Sequence, residues 1–245
     1  MPVDLARPDY GFRPCPFWSW NDKLEPEELR RQVREMHAAG LGGFFMHARG
    51  GLRTRYLSDE WMDCVRASLD EAGKLGMRGW LYDENGWPSG FGGGLVNGLG
   101  VNYQQKYLVG KWIEAKDARR EEHTIAFYAA DGVTRFRDGV PADYTGAVLH
   151  CFYETNPYYV DNLDAAVVAR FIEVTHEHYY RELPPELLKH LRGIFTDEPQ
   201  LSRRGLLWSF VLEAEYRAAY GRDLLDELPL LFIDHADAPQ VRVRF

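Results

Sequence analysis

The chain has 245 residues, of which 45% are hydrophobic and 27% are charged, an ordinary composition for a globular protein. Its formal net charge of −8 at pH 7 argues against a nucleic-acid partner and against an anionic membrane surface. No apolar run reaches the roughly 18 residues of a transmembrane helix, and the first residues lack the pattern of a secretory signal. The three cysteines follow no disulfide spacing, so a cytoplasmic location is expected.

The first part of the chain alternates short apolar runs with helical patterns. Strands are predicted in residues 15–21, 42–50 and 77–90. The helix after the first strand begins at Pro26 and is ended by Gly40. The helix after the second strand is capped by Ser58 and ended by Gly76. Short strands that alternate with helices predict a parallel sheet.

This alternation breaks after the third strand. The glycine-rich residues 89–100 lead into residues 103–153, where alternating patterns and Asp-Gly turns predict a small β insertion. A long helix is predicted over residues 161–182, and residues 193–198 predict the fourth strand of the series. Another helix is predicted over residues 208–220.

This order predicts an α/β fold, namely a partial (β/α)8 TIM-type barrel with a small β insertion after the third strand. An open doubly wound sheet suits the same order. The expected domains are first barrel units in 1–102, the insertion in 103–153 and further barrel units in 154–245. Four or five units do not close a barrel of eight, so the chain is expected to stop before closure.

Polar residues follow each predicted strand. They are Trp20 and Asn21, then His47 and Arg49, then Asp83 and Glu84, and finally Asp197 and Glu198. Because the carboxyl ends of parallel strands meet at one edge of a sheet, these residues predict a functional site there.

Glu198 is the predicted catalytic acid. A glutamic acid placed just past a strand end, near apolar walls, has its pKa raised by desolvation and can donate a proton near neutral pH. Glu84 is the predicted second catalytic residue, since glycoside hydrolysis needs paired carboxylates at roughly 5 Å or roughly 6.5–9.5 Å. Alternatively, Asp197 and Glu198 cap the following segment or face solvent.

The other candidates are substrate-binding residues. His47 and Arg49 lie two residues apart and so share one strand face, where they could bind hydroxyl groups or a carboxylate. Trp87 offers a platform for a sugar ring, and Trp20 and Asn21 could line the pocket. Asp83 and Asp197 could contact substrate or metal as well. For the histidine and the tryptophans, a structural role in the core is an equal or stronger alternative.

Several blocks of the sequence resemble glycoside hydrolase family 106, the α-L-rhamnosidases and their relatives, over about residues 12–230. The blocks are FWSWND (17–22), AAGLGGFFMHAR (38–49), the long run 58–94 and IFTDEP (194–199). The resemblance implies a TIM-type barrel, inverting carboxylate catalysis with Glu198 as the acid, and a calcium ion at the site. The sequence itself requires no cofactor.

The sequence therefore predicts a glycosidase that cleaves an α-L-rhamnoside or a related sugar, with a carbohydrate as its partner. One alternative is a retaining β-glycosidase of the large barrel clan, whose acid also follows the fourth strand. Another is a non-catalytic carbohydrate-binding module or an incomplete fragment without activity of its own.

Overall fold

The computed structural model describes residues 8–201 and 204–245. The chain forms two compact units, Met1–Val96 with Ala166–Gln200 and Asn97–Ala165 with Leu201–Phe245. The prediction that the chain starts without a secretory signal rests partly on residues 1–7, which lie outside the described ranges. No helix within the described ranges has the length and apolar character needed to cross a bilayer.

The described residues form eight strands and eight α-helices. The strands are β1 (Phe17–Trp20), β2 (Gly43–Ala48), β3 (Arg78–Tyr82), β4 (Gln104–Glu114), β5 (Thr124–Tyr128), β6 (Ala147–Val160), β7 (Leu191–Phe195) and β8 (Leu207–Trp208). The helices are α1 (Pro26–Ala38), α2 (Asp59–Lys74), α3 (Ala165–Val174), α4 (His176–Glu182), α5 (Pro185–Leu188), α6 (Leu212–Tyr220), α7 (Leu224–Glu227) and α8 (Ala238–Arg244). Short 3₁₀ turns occupy Tyr10–Phe12, Gly92–Gly94, Asn97–Leu99, Val101–Tyr103, Ala115–Asp117 and Leu228–Leu231.

The first unit contains a four-stranded parallel sheet in the order β1-β2-β3-β7. The sheet is curled. The rings of Phe17 on one outer strand and Phe195 on the other lie only 5.2 Å apart across its concave face, which a flat sheet of four strands would not allow. The predicted parallel sheet and the mixed α/β class are therefore confirmed. The four strands of this sheet make one half of a barrel, and a closed TIM barrel is not shown.

The helices of this unit begin where the sequence predicts. Helix α1 has Pro26 in its first turn, and its Leu29 and Val33 are buried. Helix α2 has Ser58 as its N-cap, and the hydroxyl of this residue accepts a 3.3 Å hydrogen bond from the Trp61 N–H. The buried stripe of α2 joins buried residues of β1 and β2 in the core on the convex side of the sheet.

The predicted single helix over 161–182 is two helices instead. Helix α3 ends at Val174, and α4 begins at His176. Between them Thr175 has φ −113° and ψ −79°, and its hydroxyl donates a 2.6 Å hydrogen bond to the Phe171 carbonyl. A threonine hydroxyl that bonds back to the carbonyl four residues earlier competes with the helical pattern and bends the chain.

The second unit holds an antiparallel sheet in the order β5-β6-β4-β8. Strands β4 and β6 pair along their length, from Glu114↔Ala147 to Gln104↔Val160. The core on one side of this sheet includes residues of α6 and α8, such as Tyr216 and Val241. By its internal contacts, Leu201–Phe245 groups with this antiparallel sheet, and Ala166–Gln200 groups with the parallel sheet.

Candidate functional site

The concave face of the parallel sheet changes character along the strands. Its lower part is aromatic, with Phe17, Phe45 and Trp80 in ring contact. One step nearer the carboxyl ends, the register places Ser19 opposite His47. Because strand residues alternate between faces, Asn21 and Arg49 continue these two rows beyond the strand ends. The polar edge of the sheet thus lies above an aromatic floor.

Asp83 ties the loop after β3 to the end of β7. Its carboxylate is fully buried and accepts a 2.5 Å hydrogen bond from the Ser89 hydroxyl and a 2.6 Å bond from the Thr196 hydroxyl. The same Ser89 oxygen accepts from the Asp197 N–H at 2.8 Å. Burial raises the pKa of Asp83, and the two hydroxyl groups oppose this effect. Asp83 therefore influences the site through the Ser89 and Thr196 hydroxyl groups, which it holds in place.

A histidine completes the surroundings of Asp83. The Nε2 atom of His176 lies 3.7 Å from Asp83 Oδ2, and Nδ1 lies 3.0 Å from the Thr175 hydroxyl oxygen. Burial lowers the pKa of His176, while the charge of Asp83 acts in the opposite direction. Sequence reasoning missed Ser89, Thr196 and His176, because a partner in a buried network carries no signal of its own in the chain.

Glu84 is also fully buried, and backbone groups surround its carboxylate. Its oxygens accept hydrogen bonds from five N–H groups at 2.5–3.3 Å, namely those of Asn85, Gly90, Phe91, Gly92 and Gly93. Burial raises the pKa of Glu84 to about 7, against the effect of these donors. The predicted catalytic Glu84 thus has both oxygens committed to the loop that follows it.

His47 is enclosed by aromatic rings on the concave face. Its ring is 1% exposed and stacks on Tyr82 at 3.9 Å with an interplanar angle of 7°. Neither ring nitrogen has a hydrogen-bond partner among residues 8–201 and 204–245. Burial lowers the pKa of His47 to about 4; the charge of Arg49 acts in the same direction and that of Asp197 opposes it. The ring is therefore neutral at pH 7, with one donor and one acceptor nitrogen.

Glu198 lies three residues past the end of β7 and is exposed. The expected burial of this side chain against apolar walls is thus not observed. Its backbone has φ +44°, in the left-handed region that non-glycine residues rarely adopt. Asp197 beside it is half-buried. The chain therefore presents the Glu198 carboxylate to solvent at the polar edge of the sheet.

The two predicted tryptophans have different surroundings. Trp20 is 1% exposed and contacts Trp18 and Trp61, at ring distances of 5.4 and 4.9 Å, in the core on the helix side. It does not line the concave face, because Ser19 and Asn21 occupy that side of β1. Trp87, by contrast, is 40% exposed in the loop after β3. Asn21 is exposed as well.

The acidic pairs do not fit the calcium ion that the family resemblance implies. Calcium takes about six to eight oxygen ligands. The oxygens of Asp83 and Glu84 already accept hydrogen bonds from hydroxyl and backbone N–H groups. Within the described ranges, no three His, Cys, Asp or Glu side chains are grouped to hold a metal ion.

Comparison with known proteins gives a structural likeness. No protein-family model matches the chain, and a search of curated proteins gives no match. Among solved structures, the chain is similar to a rhamnosidase from Novosphingobium sp. PP1Y, with a TM-score of 0.58 and 14% sequence identity. The likeness covers 91% of this chain and 41% of that chain, so this chain spans about two-fifths of the rhamnosidase. At this identity the comparison bears on the fold.

Proposed function

We propose that this chain forms the acid-supplying and sugar-binding part of a glycoside hydrolase that acts on an α-L-rhamnoside or a related sugar. The observation that carries the proposal is the exposed Glu198 carboxylate at the carboxyl edge of a curled parallel sheet. The structural likeness to a rhamnosidase over 91% of the chain supports the substrate class.

Glu198 is the proposed general acid. In the reaction its carboxyl proton passes to the glycosidic oxygen as the bond from that oxygen to the anomeric carbon breaks, and water supplies the new hydroxyl group. A left-handed backbone at a non-glycine residue costs roughly 1–2 kcal/mol. Strain of this kind concentrates at functional sites, which supports a role for the position of Glu198.

The residues of the polar edge are the proposed sugar contacts. His47 is 1% exposed and stacks on Tyr82, so its proposed role is to support this edge from below. Arg49 is half-buried beyond it in the same row, and Asn21 and Asp197 continue the edge on the outer strands. Trp87 is exposed enough to offer its ring to a sugar face.

The test compares two substrates with different leaving groups. Glu198→Gln should lower kcat on a rhamnose-containing disaccharide by roughly 10²–10⁴-fold and should affect 4-nitrophenyl α-L-rhamnopyranoside much less, because nitrophenolate leaves without a proton. Glu27→Gln, at an exposed glutamate of α1, is the matched control and should behave as wild type. Unchanged turnover of the disaccharide by Glu198→Gln would show that another group is the acid.

A sugar-binding module without catalysis is the second candidate. It is favoured by the five backbone hydrogen bonds that occupy Glu84, the predicted second carboxylate. A binding module would take up methyl α-L-rhamnopyranoside with equal affinity in the wild type and in Glu198→Gln, and neither would release sugar. If hydrolysis is observed, NMR of the first anomer formed separates inversion from retention.

A further inference from the structure

A cavity of about 490 Å³ lies in the first unit between the loop after β2 and the glycine loop after β3. Its lining includes Arg55, Leu57, Asp59, Asn85, Gly92 and Gly93. Both loops follow carboxyl ends of strands in the parallel sheet. The cavity therefore lies at the carboxyl end of the sheet, which is also the end that carries the proposed acid.

One wall of the cavity is glycine backbone that is hydrogen-bonded to the buried carboxylate of Glu84. Gly92 and Gly93 line it with φ +58° and +64°, and both donate N–H bonds to Glu84. A Cβ atom on Gly93 would lie 3.0 Å from Tyr56 Cδ1 and 3.2 Å from Asn85 Nδ2. A side chain there would thus crowd both lining residues as well as strain the backbone.

The lining of the cavity also contains a strained residue. Among residues 8–201 and 204–245, the non-glycine residues with positive φ are Leu57 and Glu198. Leu57 has φ +57° and lines the cavity, while Glu198 is the proposed acid. For a branched side chain this conformation is unfavourable, and surrounding structure must hold it in place. The cavity thus has the strained backbone of Leu57 in its lining and the buried Glu84 carboxylate behind its glycine wall.

The polar lining favours a neutral ligand with several hydroxyl groups. Arg55 and the Asn85 amide supply donors, and Asp59 and the amide oxygen supply acceptors. A phosphate would also meet the helix N-terminus at Ser58. However, Asp59 and Glu60 both lie in the first turn of this helix, and their two negative charges outnumber the single positive charge of Arg55 in the lining, which disfavours an anion there.

We propose that this cavity is a binding subsite for a sugar ring, and that Glu84 is the positioning residue that holds its glycine wall. The proposal rests on the proposed function, because it assigns a further sugar unit of the same substrate to this cavity. Glu84 touches no ligand in this assignment and acts through the Gly92 and Gly93 backbone.

The first experiment measures binding of a rhamnose-containing disaccharide, whose second ring would occupy the cavity, by NMR titration in the Glu198→Gln background, where turnover does not interfere. Asp59→Asn and Asn85→Ala should each weaken binding about tenfold, equivalent to about 1.4 kcal/mol. The matched control is Asp63→Asn, which changes an exposed aspartate one turn further along α2 that pairs with Arg66. It should leave the affinity unchanged.

The second experiment tests Glu84 by a readout that stability alone would not move. In the wild type, sugar affinity should rise with pH through about 7, because the ionised carboxylate accepts all five N–H bonds. The titratable groups that face Glu84 are Tyr56, Tyr82 and Tyr179, whose pKa values burial raises, so these phenols stay neutral in this range, and Asp83 is the neighbouring carboxyl in the chain. In Glu84→Gln this pH dependence should vanish, and the amides of Gly92 and Gly93 should exchange with solvent faster. If Glu84→Gln does not fold, the pH profile of the wild type tests the role of Glu84, and Asp59→Asn and Asn85→Ala test the subsite.

The outcomes separate this proposal from the proposed function. Unchanged sugar affinity in Asp59→Asn and Asn85→Ala overturns the subsite, even if Glu198 proves essential for hydrolysis. Weakened affinity in those variants supports the subsite. If Glu198→Gln at the same time hydrolyses the disaccharide at the wild-type rate, the subsite stands and Glu198 is not the acid. Inorganic phosphate is the second probe, and its binding in place of the sugar overturns the assignment of a neutral ligand.

Discussion

Acid should destabilise the first unit through His47. The ring is 1% exposed, it stacks on Tyr82 at 3.9 Å, and its nitrogens have no partners within the described ranges. Protonation would place a charge in this aromatic enclosure, where the loss of hydration outweighs the opposing effects of the Asp197 charge and the Ala48 backbone. Burial therefore lowers the pKa of His47 from 6.5 to about 4. The stabilising contribution of the neutral ring is complete above pH 6.5 and is lost as the pH falls toward 4.

The size of the effect follows from the two pKa values. At pH 5 the unfolded histidine is mostly protonated and the folded one is mostly neutral, so proton binding favours the unfolded chain by about 2 kcal/mol. The full difference between the values corresponds to about 3 kcal/mol at lower pH. His47→Phe retains a ring against Tyr82 and cannot titrate, so it should lose this part of the acid sensitivity.

The assay is urea unfolding at pH 7.5 and pH 5, followed by tryptophan fluorescence. The quantity compared is the drop in the free energy of unfolding between the two pH values, which should be about 2 kcal/mol smaller in His47→Phe than in the wild type. His37→Gln is the control, since that residue can retain its contact with the Tyr10 hydroxyl. Equal drops in the wild type and His47→Phe would refute the argument.

Two further predictions concern stability elsewhere in the chain. Asp161→Asn should destabilise the second unit by roughly 3–5 kcal/mol, because it leaves the Lys106 ammonium buried without its 3.2 Å carboxylate partner. Asp138→Asn at an exposed turn is its control in the same urea titration, and a loss below 1 kcal/mol for Asp161→Asn would contradict the prediction. Ser58→Ala should cost about 1 kcal/mol in the first unit, since it removes the hydroxyl that accepts the Trp61 N–H. Ser58→Thr should restore most of it, and an equal loss in both variants would mean that the cap is not the cause.

Local signals made the first unit predictable. Pro26 and Ser58 start their helices where the sequence places them, because a helix start depends on residues within one turn. The alternation of short strands and helices likewise predicts parallel pairing, and the order β1-β2-β3-β7 follows it. The pairing of β8 with β4 was not predictable, because Leu207↔Tyr107 joins segments about a hundred residues apart.

The face occupied by a side chain was harder to predict. Trp20 and Asn21 are adjacent at a strand end, and adjacent residues point to opposite faces. The sequence does not say which of the two faces the helices. The structure places Trp20 among Trp18 and Trp61, in the core on the helix side of the sheet. A tryptophan at a strand end is therefore weak evidence for a sugar platform.

The two Asp-Glu pairs share one sequence pattern, yet Glu84 is buried and Glu198 is exposed. Asp83-Glu84 and Asp197-Glu198 each follow a strand of the same parallel sheet. After Glu84 the chain contains four glycines among residues 90–94, and their flexible backbone lets several N–H groups turn toward one carboxylate. After Glu198 the next residue is Pro199, which has no N–H group to donate. The first carboxylate is consequently enclosed and the second is exposed, and only an exposed carboxylate can reach the leaving oxygen of a bound sugar.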